Sequence, residues 1–211
     1  NRRMHQQKIT HHYTILLSQW SYTLLSNANK INKEVDASSR FQDSLPISSD
    51  HLLKQLDKWK ISYKCYNHAP LSTVKEYKHI QNKFLNSSEG GGHIKNLYLR
   101  DHKKNNILVV AEQDLIIDLK KLKETLGTGR LSFGSSDRLM QNLGVRPGAV
   151  TPLSMINGVK QNVSLFIDVN LKSCLKIYAH PLVNDRTLEL SIVSLEYFFE
   201  KVGAVPHWAD L

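Results

Sequence analysis

The sequence has few cysteines and no long hydrophobic run, and both shortages exclude classes of protein. Its two cysteines, Cys65 and Cys174, lie far apart in a chain of 211 residues. Neither belongs to a Cys-x-x-Cys pair, so the sequence supports neither a zinc site nor a thioredoxin-like redox site. Two free thiols are typical of a reducing compartment. No apolar run reaches the length needed to cross a bilayer, so no membrane-spanning helix is predicted.

The signature motifs of several enzyme classes are also missing. There is no Gly-x-Ser-x-Gly elbow and no His-Glu-x-x-His metal site. The stretch 127–130 (Gly-Thr-Gly-Arg) lacks both the ending of a phosphate-binding P-loop and the third glycine of a dinucleotide fingerprint. His5, His11 and His12 have no cysteine or carboxylate at ligand spacing, so we interpret them as surface side chains. We therefore predict no metal and no cofactor, whereas a Ser–His arrangement stays open because it is defined in space.

Acidic residues are scarce relative to basic ones. The chain has 28 Lys and Arg against 19 Asp and Glu, which gives a net charge of +9 and a pI near 9.5. Such a balance attracts polyanions such as RNA. A composition biased by AT-rich coding would give the same excess of lysine, and both interpretations stay open. The aromatic platform motif of an RNA-recognition module is absent, which disfavours a general RNA-binding domain.

The first part of the chain differs from the rest, because no acidic residue precedes Glu34. We predict an N-terminal extension over residues 1–47, poorly ordered or targeting-like, and one domain over 48–211. A basic, Ser-rich, acid-poor segment fits an organellar transit peptide, whereas a secretory signal needs a longer apolar stretch. A family-specific extension is the interpretation we prefer. Its apolar residues at helical spacing are Ile15, Leu16, Leu17, Trp20, Leu24 and Leu25.

The remaining sequence alternates between helical and strand patterns. Residues 51–59, 74–84, 119–126, 135–143 and 191–202 are predicted helices, several preceded by Ser or Asp and followed by Gly, as helix caps require. Residues 61–66, 94–99, 107–111, 162–169, 175–179 and 188–190 are predicted strands. The strands at 94–99 and 107–111 are joined by a polar loop and are expected to pair antiparallel.

Residues 90–99 form the most informative stretch of the sequence. Three glycines lead directly into alternating apolar and polar residues, so Lys95 shares a strand face with Leu97 and Leu99. Asn96 lies on the opposite face. Lysine is rarely buried without a partner, so either this face is open or Lys95 points into a pocket.

Together with residues 144–152 (Gly-Val-Arg-Pro-Gly-Ala-Val-Thr-Pro) and 179–182 (Ala-His-Pro-Leu), this stretch resembles the YbaK/prolyl-tRNA-synthetase-associated editing domains. The most similar members are free-standing proteins that deacylate mischarged alanyl-tRNA(Pro). The resemblance extends from about His51 to Leu211. It implies an α+β fold with a curved, mixed and partly barrel-like central sheet flanked by helices.

The resemblance also implies the site. Lys95, in the Gly-Gly-His-x-Lys-Asn segment, matches the lysine most needed for activity, and Asn96 is expected to orient the substrate by hydrogen bonds. His180 matches a histidine near the pocket that positions water or contacts the substrate. Ile94 stands where threonine is usual. The residues expected to border the substrate are His93 and the loop residues Gly148, Ala149, Val150, Thr151 and Pro152.

The function implied by the resemblance is that of a trans-acting aminoacyl-tRNA deacylase, with alanyl-tRNA(Pro) as the preferred substrate. The expected partners are the acceptor end of mischarged tRNA and prolyl-tRNA synthetase, with no DNA and no membrane, in the cytoplasm unless the extension targets an organelle. The alternative is a non-catalytic tRNA- or synthetase-binding module of the same fold. Lys95 argues for the enzyme, because binding alone does not require a lysine on an apolar strand face.

Overall fold

A mixed eight-stranded β-sheet carries the fold, in a computed structural model that describes residues 35–71 and 73–211. The neighbouring strands follow the order β1-β7-β6-β2-β3-β5-β8, and β4 pairs with β2. The predicted apolar stripe and the three histidines of the extension lie outside the described residues. The strands are β1 (Tyr63–Asn67), β2 (Gly91–Arg100), β3 (Asn106–Glu112), β4 (Ser132–Phe133), β5 (Ser164–Asp168), β6 (Lys176–Ala179), β7 (Arg186–Leu190) and β8 (Pro206–Ala209).

Six α-helices flank the sheet in the described part of the chain, and none of them is long and apolar enough to cross a membrane. Their ends match the caps read from the sequence: Ser48 Oγ accepts from the His51 N–H at 3.2 Å, and Asp118 accepts from the Lys120 N–H at 2.8 Å. The helices are α1 (Ser49–Lys58), α2 (Val74–Lys78), α3 (Leu119–Thr125), α4 (Ser136–Leu143), α5 (Met155–Gly158) and α6 (Ile192–Val202).

The two faces of the sheet bury two separate apolar clusters. The larger cluster packs the sheet against α1, α4, α5 and α6, and it includes Tyr98 from β2. The smaller cluster packs Leu97 and Leu99 of β2 against Leu122 of α3 and against Leu126, which directly follows this helix. The alternation predicted for this strand is therefore confirmed, since adjacent residues enter different clusters.

Strand β2 belongs to both halves of the sheet, and this positions the site. Its first residues, Gly91–His93, pair parallel with β6. Residues from Ile94 to Arg100 pair antiparallel with β3, as predicted. On its other edge, β2 meets β4 only at Leu99 and Arg100. Between the end of β6 and the start of β4, in the described structure, this edge of β2 has no strand neighbour.

The compact unit Asp36–Leu211 includes residues 36–47, which the sequence pattern assigns to the N-terminal extension. Ala37 and Leu45 lie in the main core with 6% and 8% of their surface exposed. Ser39 donates from its N–H and its hydroxyl to the Asp185 carboxylate at 2.9 and 2.7 Å. Residues Ser39–Ser44 form a 3₁₀ turn. A short turn that packs through single residues has no apolar period, so the sequence pattern did not reveal it.

Other differences concern short elements and exposed side chains. The predicted helix over 74–84 is the shorter α2 followed by a 3₁₀ turn, and strand β8 was not predicted. In the apolar helix α6, Val193 is 69% exposed, whereas Leu195, Phe198 and Phe199 are buried. Helical spacing alone does not decide which side of an apolar helix faces the core.

We expect Gly91→Ala to destabilise the domain by at least about 3 kcal/mol, the upper end of overpacking costs. A Cβ at Gly91 would lie 1.8 Å from the Leu85 carbonyl oxygen, a backbone atom that no rotamer change can move. The matched control is Gly127→Ala, where φ is +62° but nothing lies within 4 Å, so the expected cost is about 1 kcal/mol from the left-handed backbone. Urea unfolding of both variants tests this, and equal losses would contradict it.

Candidate functional site

A cavity of about 280 Å³ opens where β2 lacks a strand neighbour. Its wall combines the middle of β2, the end of β6, the loop that precedes α5 and the segment around α2. The cavity forms at this place because β2 pairs with β6 at its beginning and with β4 at its end, which leaves the edge between them uncovered. The lining residues are Leu71, Thr73, Tyr77, Ile94, Lys95, Asn96, Leu97, Gly148, Val150, Tyr178, Ala179, His180 and Thr187.

The backbone of β2 contributes polar groups to this wall. The Gln113 N–H donates to the His93 carbonyl at 3.0 Å, which sets the antiparallel alternation. Peptide groups two residues apart face the same edge, so those of Lys95 and Leu97 face β3 and those of Asn96 face the cavity. The Gly134 N–H, which donates to the Tyr98 carbonyl at 3.0 Å on that same edge, agrees with this assignment. The Asn96 N–H is thus a donor at the cavity wall.

Lys95 is half-buried at the cavity wall on the α3 side of the sheet. Its Nζ donates to the Leu115 carbonyl, in the loop after β3. Within the described residues no carboxylate pairs with this amine. A cation fixed by a neutral carbonyl keeps its full charge and further donors for an anion.

Asn96 ties β2 to the opposite wall. Its Nδ2 donates to the Val150 carbonyl at 2.9 Å. Asn96 and Lys95 project from opposite faces of β2, yet both line the cavity because the cavity lies at the open edge, where both faces end. The strand therefore needs neither a twist nor a bulge to bring the two side chains to one site.

The predicted loop contributes only part of its residues. Gly148 and Val150 line the cavity, and Gly148 has a φ of +87°, which favours glycine. Ala149 and Thr151 are fully buried, and Pro152 is also buried; none of the three lines the cavity. These three residues support the loop from behind.

The two predicted histidines have different environments. His180 lines the cavity, and its Nδ1 lies 2.7 Å from the Arg186 carbonyl oxygen. His93 is fully buried behind the cavity, stacked on Tyr178, with its Nε2 2.9 Å from the Leu85 carbonyl oxygen. Since a carbonyl oxygen only accepts hydrogen bonds, His180 carries a proton on Nδ1 and His93 carries one on Nε2. His93 therefore supports the wall and does not reach the cavity.

Comparison with known proteins identifies the family of this site. The model of the aminoacyl-tRNA editing domain matches residues 68–198, more than half of the chain. The chain belongs to the aminoacyl-tRNA editing domain family. The matched region contains Lys95, Asn96, His180 and the 148–152 loop.

The similarity to known relatives of this editing domain covers most of the length of each relative. The prolyl-tRNA editing protein ProX of Acetoanaerobium sticklandii is 37% identical over 155 residues, which is 72% of this chain and 90% of the relative. The prolyl-tRNA synthetase associated domain-containing protein 1 of Mus musculus is 33% identical, over 66% of this chain and 82% of the relative. The predicted family is thus confirmed.

Solved structures confirm the fold of the editing domain. The crystal structure of the hypothetical protein APE2540 superposes with a TM-score of 0.57 at 19% identity, covering 75% of this chain and 97% of that one. The structure of a candidate trans-editing enzyme for prolyl-tRNA synthetase gives 0.55 at 18% identity, covering 76% and 96%. The predicted α+β architecture with a mixed central sheet is confirmed.

Several residues of the editing-domain cavity were not predicted. Thr73 and Tyr77 come from the segment around α2, and Thr187 comes from β7. His68 is not a lining residue, but its Nε2 lies 2.8 Å from Thr187 Oγ1. None of these positions carries a sequence signal, because a threonine in a five-residue strand has the pattern of any exposed or packed position.

The stability of the editing domain is expected to fall as the pH drops from about 6.5 toward 4. Burial lowers the pKa of His180 from its ordinary 6.5 to about 4, against an opposing effect of its hydrogen bond to the Arg186 carbonyl. In this window the unfolded chain binds more protons than the folded one, so acid favours unfolding. Burial also lowers the pKa of His93, which adds in the same direction. Melting temperatures of wild type and His180→Asn between pH 4 and 7 test this; the variant should show the flatter curve, and parallel curves would contradict it.

Proposed function

We propose that this protein hydrolyses the ester bond of mischarged aminoacyl-tRNA as a free-standing deacylase, with alanyl-tRNA(Pro) as its preferred substrate. The observation that carries the proposal is the pair of donors at the open edge of β2. The Lys95 ammonium and the Asn96 main-chain N–H line one small cavity, and no described carboxylate neutralises the lysine. The names of the relatives, a prolyl-tRNA editing protein among them, support the same substrate class.

The chemistry needs these donors. Water attacks the ester carbonyl, and negative charge develops on the carbonyl oxygen in a tetrahedral intermediate. Donors fixed before the reaction stabilise this oxyanion without having to reorganise. Lys95 is held by the Leu115 carbonyl and Asn96 by its place in β2, so both groups are fixed in advance. No protein nucleophile is required for this hydrolysis.

The cavity also supports selection for a small amino acid. A synthetase that accepts proline rejects a smaller residue poorly, because a methylene contributes only about 1–3 kcal/mol to discrimination. A second site that admits the small residue and excludes the larger one corrects this. Ile94, Val150 and Ala179 give the present cavity apolar surface next to its donors.

A deacylation screen tests the proposal. Hydrolysis is measured for tRNA(Pro) charged with alanine, serine, cysteine and proline. Alanyl-tRNA(Pro) is expected to react fastest and prolyl-tRNA(Pro) to be spared. Hydrolysis of none of the four would overturn the proposal, and tight tRNA binding without turnover would favour the non-catalytic module. Co-purification with prolyl-tRNA synthetase examines the proposed protein partner separately.

A further inference from the structure

At the β6–β7 end of the cavity, His180 lines the wall and His68 lies beside it, and the two histidines are anchored in the same way. His180 Nδ1 lies 2.7 Å from the Arg186 carbonyl oxygen, and His68 Nδ1 lies 2.8 Å from that of Ala69. Each Nδ1 therefore carries the proton, since a carbonyl oxygen only accepts. In a neutral imidazole the other nitrogen is then an acceptor. The two rings lie side by side, with centroids 6.1 Å apart.

This tautomer fixes the direction of a third group, the Thr187 hydroxyl. His68 Nε2 lies 2.8 Å from Thr187 Oγ1, so in the neutral form of His68 the hydroxyl donates its only proton to this nitrogen. Thr187 lines the cavity and is 1% exposed. Because the hydroxyl proton is directed toward His68, a group that reaches Thr187 Oγ1 from the cavity meets lone pairs and no proton. His180 Nε2 has no hydrogen-bond partner among residues 35–71 and 73–211, and its ring lines the same cavity.

The cavity is consequently polarised. Donors stand on β2, where Lys95 and the Asn96 N–H lie, and acceptors stand at the β6–β7 end. The one guanidinium carried by these two strands, that of Arg186, is paired with Asp50 at 2.5 Å. An aminoacyl ester has the complementary polarity, because its carbonyl oxygen accepts hydrogen bonds and its α-ammonium donates them.

We infer that Thr187 Oγ1 and His180 Nε2 bind the α-ammonium of the aminoacyl group, and that His68 is a positioning residue that directs the Thr187 hydroxyl proton away from this ammonium. This inference rests on the proposed function and names how its substrate is recognised. It extends the site to Thr187 and His68, which neither the sequence motifs nor the cavity's lysine implicate. A neutral acceptor pair also explains how an ammonium group is bound in a cavity where none of the described lining residues is a carboxylate.

Binding of stable substrate analogues tests the inference independently of turnover. The probes are the alanyl and propionyl amides of 3′-amino-3′-deoxyadenosine, which differ only in the α-amino group, and calorimetry gives Kd for each. Wild type is expected to prefer the alanyl amide about 10- to 100-fold, the range for hydrogen bonds to a charged group. Thr187→Val should abolish most of this preference, and Thr187→Ser should keep it because the hydroxyl is retained. His68→Phe should reduce the preference while Thr187 is still present.

The outcomes separate the inference from the proposed function. Equal affinity of wild type for the two amides, no measurable binding of either, or an unchanged preference in Thr187→Val overturns the inference. Parallel weakening of both amides in Thr187→Val also overturns it, since a purely structural role would act on both. Melting temperatures of the valine and serine variants establish that each is folded. An intact preference without hydrolysis of any charged tRNA would instead overturn the proposed deacylation alone.

Discussion

Replacement of Lys95 by alanine is expected to lower kcat/KM for alanyl-tRNA(Pro) by about 100- to 1,000-fold, the usual effect of removing one preorganised oxyanion donor. The free energy of unfolding should change little, because the amine contacts one carbonyl, that of Leu115, and no described carboxylate. The loss should therefore appear in activity and not in folding. Single-turnover deacylation and urea unfolding of the same preparation measure both quantities.

The matched control is Lys54→Ala, which removes an exposed lysine from α1, an element that contributes no residue to the cavity. This substitution lowers the net charge by one unit, as Lys95→Ala does. A comparable loss of activity in both variants would show that overall charge, and not the position of Lys95, controls the rate. A folded Lys95→Ala protein with near wild-type turnover would refute the assigned role of the lysine.

Removal of residues 36–47 is expected to have the largest effect on stability. This segment brings Ala37 and Leu45 into the main core and binds the Asp185 carboxylate through Ser39. Loss of one buried leucine side chain alone usually costs about 2–5 kcal/mol. Two truncated chains, one beginning at Asp36 and one at Ser48, isolate the contribution of the segment, because they differ in nothing else. Urea unfolding should place the shorter chain at least about 3 kcal/mol below the longer one.

The truncation also affects the site. Asp185 lies next to Arg186, whose carbonyl oxygen fixes His180 at the cavity. A chain beginning at Ser48 should therefore have lower activity than one beginning at Asp36, even while it retains secondary structure. Equal unfolding midpoints for the two truncated chains would show that residues 36–47 add no stability, in agreement with the domain start predicted from the sequence.

The sequence predicted the elements whose signals are local. Helix α3 has Asp118 before its first residue and Gly127 after its last turn, and the hairpin of β2 and β3 has a polar loop between two apolar runs. Strand β8 was missed, because its four residues (Pro-His-Trp-Ala) show no alternation. Its pairing with β5 depends on chain segments that are distant in sequence.

Some residues that line the cavity are marked by a sequence motif, and others are brought there by packing alone. Lys95, Asn96 and His180 belong to the first group. Among the predicted loop residues, by contrast, periodicity does not reveal that Val150 faces the cavity while Ala149 turns away. Thr187 is brought to the cavity by pairing of β7 with β6, which no local pattern encodes.

The unpaired stretch of β2 has a consequence for mutational mapping of the protein. Part of the cavity wall consists of peptide groups, which side-chain replacement leaves in place. An alanine scan would therefore report how the side chains at these positions contribute to packing. It would not detect what their peptide groups contribute to substrate recognition. At the open edge of β2, replacing Ile94 would thus change the apolar surface of the cavity and its packing against the core, and would leave its peptide group in place.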